Sequence, residues 1–208
     1  MLPDASRAVL LCYRGYARVA LFRLFRGLGE HRVVRITSVA DLVRAIQRLS
    51  VRGAPAIGAT AAYGLALAAT HSRAQDVETL RAELRAAAEV LRASRPTAVN
   101  LFGAIDRVMR CADDPALDSV EMLQAAVLQE AHRIAEEDVA INKQMGLNAL
   151  SLVPDQATII HHCNTGALAT VDYGTALGVI RTAHEHGKQV HVLVDETRPR
   201  LQGARLTS

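Results

Sequence analysis

The hydrophobic pattern changes period at Pro154, and no other feature of the sequence limits the fold as strongly. Upstream of it, apolar residues recur at helical spacing. Ser38 and Asp41 resemble a capping box, and Val39, Leu42, Val43, Ile46 and Leu49 mark one face of a first helix. Ser50 to Pro55 interrupts the pattern, and an Ala-rich run from Ala56 to Thr70 predicts a second helix with small residues on all sides. That run is too weakly apolar for a good membrane span and reads as a buried helix. Asp76 to Ala93 predicts a third helix, ended by Arg95-Pro96, since a residue before proline avoids the helical region. Thr97 is the expected cap of a fourth, carrying Leu101, Phe102, Ile105 and Val108. Asp118 to Leu150 reads as one long helix or two consecutive ones.

Downstream of Pro154, Ala157 to His161 reads as a buried strand, Val171 to Glu185 as a helix stopped by His186-Gly187-Lys188, and Gln189 to Val194 as a second strand. Strand, helix and strand at this spacing make a βαβ unit with parallel strands. Two strands do not bury a parallel sheet on both faces, so the expected fold class is α/β, a helical N-terminal domain followed by the opening βαβ unit of an unfinished α/β domain. The expected divisions are 1–30, 31–153 and 154–208.

Half of the 208 residues are hydrophobic, which excludes overall disorder. Three scattered cysteines, Cys12, Cys111 and Cys163, argue against a disulfide scaffold and for a reducing, cytoplasmic setting. No continuous apolar core of a signal peptide opens the chain, and no membrane association is expected. Residues 1–30 hold five arginines against Asp4 and Glu30, whereas the rest of the chain is neutral. Four of the seven aromatic residues (Tyr13, Tyr16, Phe22, Phe25) share that segment. Basic and aromatic residues together can bind nucleic acid, but the footprint does not extend into the body, so no nucleic-acid partner is expected.

Cys163 falls at the end of a predicted strand, in His161-His162-Cys163-Asn164-Thr165-Gly166-Ala167. Ligands of α/β folds gather at the carboxyl ends of parallel strands, where a thiol can serve as base or nucleophile. A buried, inert cysteine fits the same pattern. His161 and His162 are adjacent on a strand and point to opposite faces, so they do not easily chelate one zinc ion, and no metal site is expected. Arg52-Gly53-Ala54 and Arg95-Pro96 stand at breaks between helices, where backbone N–H groups and a guanidinium can converge on a phosphate. Surface arginines are the plain alternative in a chain with 22 arginines and two lysines. Neither a P-loop, a G-x-G-x-x-G run nor a nucleophile elbow is present.

Five blocks carry a resemblance: Val51-Arg52-Gly53-Ala54-Pro55-Ala56-Ile57-Gly58, Arg95-Pro96-Thr97-Ala98-Val99-Asn100, Cys163 to Thr170, Tyr173 to Gly178, and Glu196-Thr197-Arg198-Pro199 through Gln202 to Thr207. In this order, from about His31 to Thr207, the chain resembles the methylthioribose-1-phosphate isomerase family. The wider superfamily includes the alpha, beta and delta subunits of initiation factor 2B, so a non-catalytic regulatory or assembly subunit is the alternative.

The resemblance implies a helical N-terminal domain, a Rossmann-like C-terminal domain and a homodimer. It implies cofactor-free aldose–ketose isomerisation of 5-methylthioribose 1-phosphate to 5-methylthioribulose 1-phosphate in methionine salvage. It places the catalytic cysteine on Cys163 and substrate-binding residues on Arg52, Gly53, Ala54, Arg95 and Gln202. The family's catalytic aspartate lies beyond Ser208, and Asp172 and Asp195 fall outside its motif. The expectation is therefore a Rossmann-like domain left incomplete at its first βαβ unit, and little or no turnover by the 208-residue chain alone. Residues 1–30 stand outside the resemblance and are expected to lack the family's opening strands.

Overall fold

The computed structural model describes residues 9–10, 19–23, 32–198 and 201–207. The fold is mostly helical α/β, divided into two compact units whose boundary falls inside one long helix, between Glu136 and Glu137.

The first unit opens with β1 (Val9–Leu10), β2 (Val19–Arg23) and β3 (Arg32–Ile36), an antiparallel meander in the order β1-β2-β3. Strands in the opening segment correct the expectation that they would be missing. All five residues of β2 pair with β3, from Val19 with Ile36 to Arg23 with Arg32, and only two pair with β1. Most of the pairing that stabilises β2 therefore lies outside the segment, and local composition does not reveal it. The remaining residues of that basic, aromatic opening, with Cys12, lie outside the described residues.

Helices α1 (Val39–Gln47), α2 (Ala54–His71), α3 (Val77–Ser94) and α4 (Val99–Ala112) follow, then α5 (Val120–Ala149), a single helix. The Ser38 cap forms as its spacing predicts. Its hydroxyl accepts the Asp41 N–H at 3.1 Å and donates to the Asp41 carboxylate at 2.7 Å. Asp76 caps α3 by accepting the Thr79 N–H at 2.8 Å. Thr97 does not cap α4. The N-cap is Ala98, with no side-chain bond, because the Ala98 N–H closes a turn onto the Arg95 carbonyl and moves the helix start one residue on.

The core of this unit is α2, buried from Ala56 to Leu67 and again at Ala69. Small side chains on every face let its neighbours approach closely. Leu42, Ile46, Leu80, Leu84, Leu91, Leu101 and Ile105 from α1, α3 and α4 are all fully buried. No described helix is long and apolar enough to cross a membrane.

In the second unit, β4 (Gln156–His162) and β5 (Gln189–Asp195) pair in parallel, from Gln156 with Gln189 to His162 with Asp195, joined through α6 (Ala176–Glu185). The helix begins five residues later than its hydrophobic pattern suggests. A bridge between Gly166 and Gly174, and the Thr175 N–H donated to the Thr165 carbonyl at 2.8 Å, hold residues 171–175 in a loop. One sheet face stays open, since Ile160 and its cross-strand partner Leu193 are 71% and 48% exposed.

Candidate active site

Cys163 directly follows β4, beside the carboxyl end of β5, and is half-buried. Its φ of 67° lies in the left-handed region, uncommon outside glycine and a form of strain found at functional sites. Two hydroxyls from the segment after β5 meet it. Thr197 Oγ1 donates to the sulfur at 3.9 Å, and Thr207 Oγ1 donates to the Cys163 carbonyl at 2.9 Å.

That segment is folded by Glu196, whose carboxylate accepts the N–H groups of Thr197 at 2.7 Å, Gly203 at 3.1 Å and Ala204 at 3.1 Å. Burial raises the Glu196 pKa, but these backbone donors and Arg198 outweigh it, so the carboxyl lies below its ordinary value. Leu201 N–H closes the turn onto the Thr197 carbonyl at 2.8 Å. Gln202, half-buried, stands between this turn and the π-type turn Gly203–Thr207. Cys163 and Gln202 therefore belong to two segments stitched together by Thr197 and Thr207.

On the other side of Cys163, His161 is 3% exposed and faces inward, whereas His162 is exposed and faces outward. Alternation along the strand separates the two rings as expected. His161 Nε2 lies 2.9 Å from Thr165 Oγ1, which also accepts the Leu177 N–H at the start of α6 at 2.9 Å. Burial, and secondarily the charge of His162, push the His161 pKa down, so this ring is neutral near pH 7.

Arg52, Gly53, Ala54 and Arg95 lie in the first unit. Gly53 is the N-cap of α2 at φ 88°, a conformation that favours glycine, and it supplies no side-chain cap. Pro55, at the helix start, has no N–H to offer. The α2 N-terminus thus presents backbone N–H groups and the positive end of its dipole next to the half-buried Arg52. Arg95 is the half-buried C-cap of α3. The blocks containing Arg52 and Arg95 meet where α2 crosses α4, since a Cβ on Gly58 would stand 2.9 Å from the Asn100 carbonyl oxygen.

Residue patterns missed the side chains that hold the Cys163 loops: Thr165, Glu196, Thr197 and Thr207, and on α5 Asp138 and Asn142. The first four stand within the matched blocks, but nothing in their spacing marked a role for them. Asp138 and Asn142, one helical turn apart on an otherwise regular helix, gave no signal at all.

A family model, the initiation factor 2 subunit family, matches residues 50–208. Methylthioribose-1-phosphate isomerase of Synechococcus sp. is 56% identical over 171 residues, 82% of this chain and 49% of that protein. Methylthioribose-1-phosphate isomerase 2 of Pseudothermotoga lettingae is 55% identical over 175 residues, 84% of this chain and 50% of the relative. The chain thus spans about half the length of the curated relatives it matches. Among solved structures, 5-methylthioribose 1-phosphate isomerase from Pyrococcus horikoshii OT3 superposes with a TM-score of 0.88 at 40% identity, covering 98% of this chain and 56% of that one. Translation initiation factor eIF-2B subunit delta from A. fulgidus gives 0.84 at 42% identity, covering 98% and 58%. The chain belongs to the initiation factor 2 subunit family.

Proposed function

We propose that this chain carries the thiol-bearing part of an aldose–ketose isomerase acting on 5-methylthioribose 1-phosphate, the reaction of methionine salvage. The observation that carries the reading is the placement of Cys163. A half-buried thiol stands at the carboxyl end of two parallel strands, held in left-handed backbone by loops from both. The relatives named as methylthioribose-1-phosphate isomerases supply the substrate.

The substrate's phosphate sits on the anomeric oxygen, so ring opening to a free aldehyde is blocked while it stays. Isomerisation then needs hydrogen moved from C2 to C1, as a proton or by an equivalent hydride shift. Meanwhile the bond from C1 to the ring oxygen breaks, that oxygen takes up a proton, and the 2-hydroxyl gives one up to become the ketone. A thiol positioned in a partly dry site is suited to the proton route. Cys163 is the proposed catalytic group. Arg52, Gly53, Ala54, Arg95 and Gln202 are the proposed substrate-binding residues, the first three through a guanidinium and the uncapped α2 N-terminus acting on a phosphate or sugar oxygen. The βαβ unit is read as the first of a Rossmann-like domain. The working form is a homodimer in the cytoplasm, without a cofactor.

A second reading, a regulatory or assembly subunit, is favoured by one observation, the likeness to the A. fulgidus eIF-2B subunit delta. Alkylation of Cys163 by iodoacetamide, followed peptide by peptide by mass spectrometry, separates the two. Under the isomerase reading, 5-methylthioribose 1-phosphate slows alkylation of Cys163 and leaves Cys111 unaffected. Arg52→Ala or Arg95→Ala weakens that protection by roughly 1.5–3 kcal/mol in apparent affinity, the worth of a charge-assisted hydrogen bond. No protection at millimolar substrate favours the subunit reading.

A further inference from the structure

The loop after Cys163 is gripped at two places by side chains that the isomerase reading leaves without a role. Near the cysteine, the buried His161 and the α6 start hold Thr165. Farther on, the grip comes from α5. Asp138 Oδ2 accepts the Val171 N–H at 2.7 Å and the Asn142 amide at 3.2 Å, and Asn142 Nδ2 also reaches the Asp172 carbonyl at 3.4 Å. One acceptor and one donor, a single helical turn apart, thus take one backbone group from each of two consecutive residues of the loop. Asn142 is 2% exposed and Val171 3%, so water does not easily replace these bonds. Around the second grip the Gly166–Gly174 bridge closes the loop on itself.

A regular helix needs neither side chain for its own stability. Burial raises the Asp138 pKa above the ordinary carboxylate value while the Val171 and Asn142 donors oppose it. A partly buried carboxylate kept without a cationic partner among its strongest influences costs stability, so its retention asks for a reason. The reason offered by the geometry is the backbone it holds. We propose that Asp138 and Asn142 are positioning residues, fixing the Cys163–Thr175 loop on α5 and thereby the exposure and orientation of the Cys163 thiol. The functional meaning rests on Cys163 being the reacting group, but the positioning itself does not.

The test therefore reads the loop and the thiol, not turnover. In the 208-residue chain, amide exchange at Val171 and the alkylation rate of Cys163 by iodoacetamide are measured for wild type, Asp138→Ala, Asp138→Asn and Asn142→Leu. Losing a charge-assisted hydrogen bond to buried backbone shifts a local opening equilibrium by about tenfold or more. Asp138→Ala is expected to speed both Val171 exchange and Cys163 alkylation by about that factor, while amides of β4 and β5 stay within about twofold. Asp138→Asn keeps a carbonyl oxygen for the Val171 N–H and is expected to stay within about threefold of wild type.

Asn142→Leu removes the α5 donor to the Asp172 carbonyl, which keeps its bonds from Thr170 Oγ1 and the Gly174 N–H, without removing the carboxylate, and serves if Asp138→Ala fails to fold. It is expected to speed Cys163 alkylation in the same direction. Unchanged thiol reactivity in folded Asp138→Ala and Asn142→Leu overturns the proposal, as does equal acceleration of β4, β5 and Val171 amides. A loop response without substrate protection of Cys163 would leave this inference standing while the isomerase reading fell.

Discussion

Replacing Gly58 with alanine should destabilise the protein, although the same change in an open helix should stabilise it. A Cβ on Gly58 would lie 2.9 Å from the Asn100 carbonyl oxygen and 3.3 Å from both the Asn100 carbonyl carbon and Cβ. The first two obstacles are backbone, so α4 has to move away from α2 rather than a side chain turning aside. Overpacking of this kind costs about 1–3 kcal/mol. Alanine in a helix interior returns about 0.5–1 kcal/mol over glycine, leaving a net loss centred near about 1 kcal/mol within a span of about 0–2.5 kcal/mol. Gly103, within α4 and exposed, is the internal control, because a Cβ there meets nothing within 4 Å. Gly103→Ala should gain the propensity term of about 0.5–1 kcal/mol without the clash. The two variants differ by the clash alone, about 1–3 kcal/mol. At about 2–4 °C per kcal/mol for a chain of this size, they should separate by about 2–12 °C in thermal unfolding followed by circular dichroism, with wild type between them. Equal stability of Gly58→Ala and Gly103→Ala would refute the close approach of α2 and α4, and with it the meeting of the Arg52 and Arg95 blocks.

Ser38→Ala should cost about 1 kcal/mol in urea unfolding, the worth of an N-cap, whereas Thr97→Ala should stay within about 0.5 kcal/mol because Thr97 caps nothing. Equal losses would contradict the observed helix starts. Glu130 is buried against the partly exposed Arg107 and Arg133, so Glu130→Ala should cost less than the roughly 3–5 kcal/mol of breaking a fully buried pair, and a neutral result would remove the triad from the account. The raised Asp138 pKa means that the folded state binds more protons than the unfolded one in the window from about pH 3.9 up to the raised value. That contribution to stability is present below the window and is lost as pH rises through it. Asp138→Asn should therefore gain on wild type from low to neutral pH in urea midpoints; parallel profiles would show that Asp138 is not perturbed.

The caps at Ser38 and Asp76 were legible because both partners of each hydrogen bond lie within one turn of sequence. The burial of α2 was legible too, since a helix with small residues all round has no face to give to water. What escaped depended on residues far apart in the chain. The start of α6 is set by Thr165 holding Thr175 and Leu177, ten and twelve residues away. Periodicity across residues 171–175 continues the helical pattern and cannot register that competition. Strand β2 finds most of its pairing in β3, beyond the opening segment, and its own composition reads as a basic, aromatic stretch. Around Cys163, position at a strand end was readable, but the hydroxyls of Thr197 and Thr207 arrive from 34 and 44 residues away. Asp138 and Asn142 lie on the exposed-looking part of a long helix, where a carboxylate and an amide are ordinary surface residues until the loop they hold is seen.

Proton transfer by Cys163 in an aldose–ketose isomerisation is the step proposed for this site. A chimera in which residues 38–207 of this chain replace the matching segment of the Synechococcus isomerase tests it most directly, with conversion of 5-methylthioribose 1-phosphate as the readout. The chimera should turn over substrate, and its Cys163→Ala variant should lose about 10²–10⁴ in rate, the usual loss for a general base, with its circular dichroism spectrum unchanged. A folded chimera without activity, or an alanine variant within a few-fold of its parent, would contradict the claim.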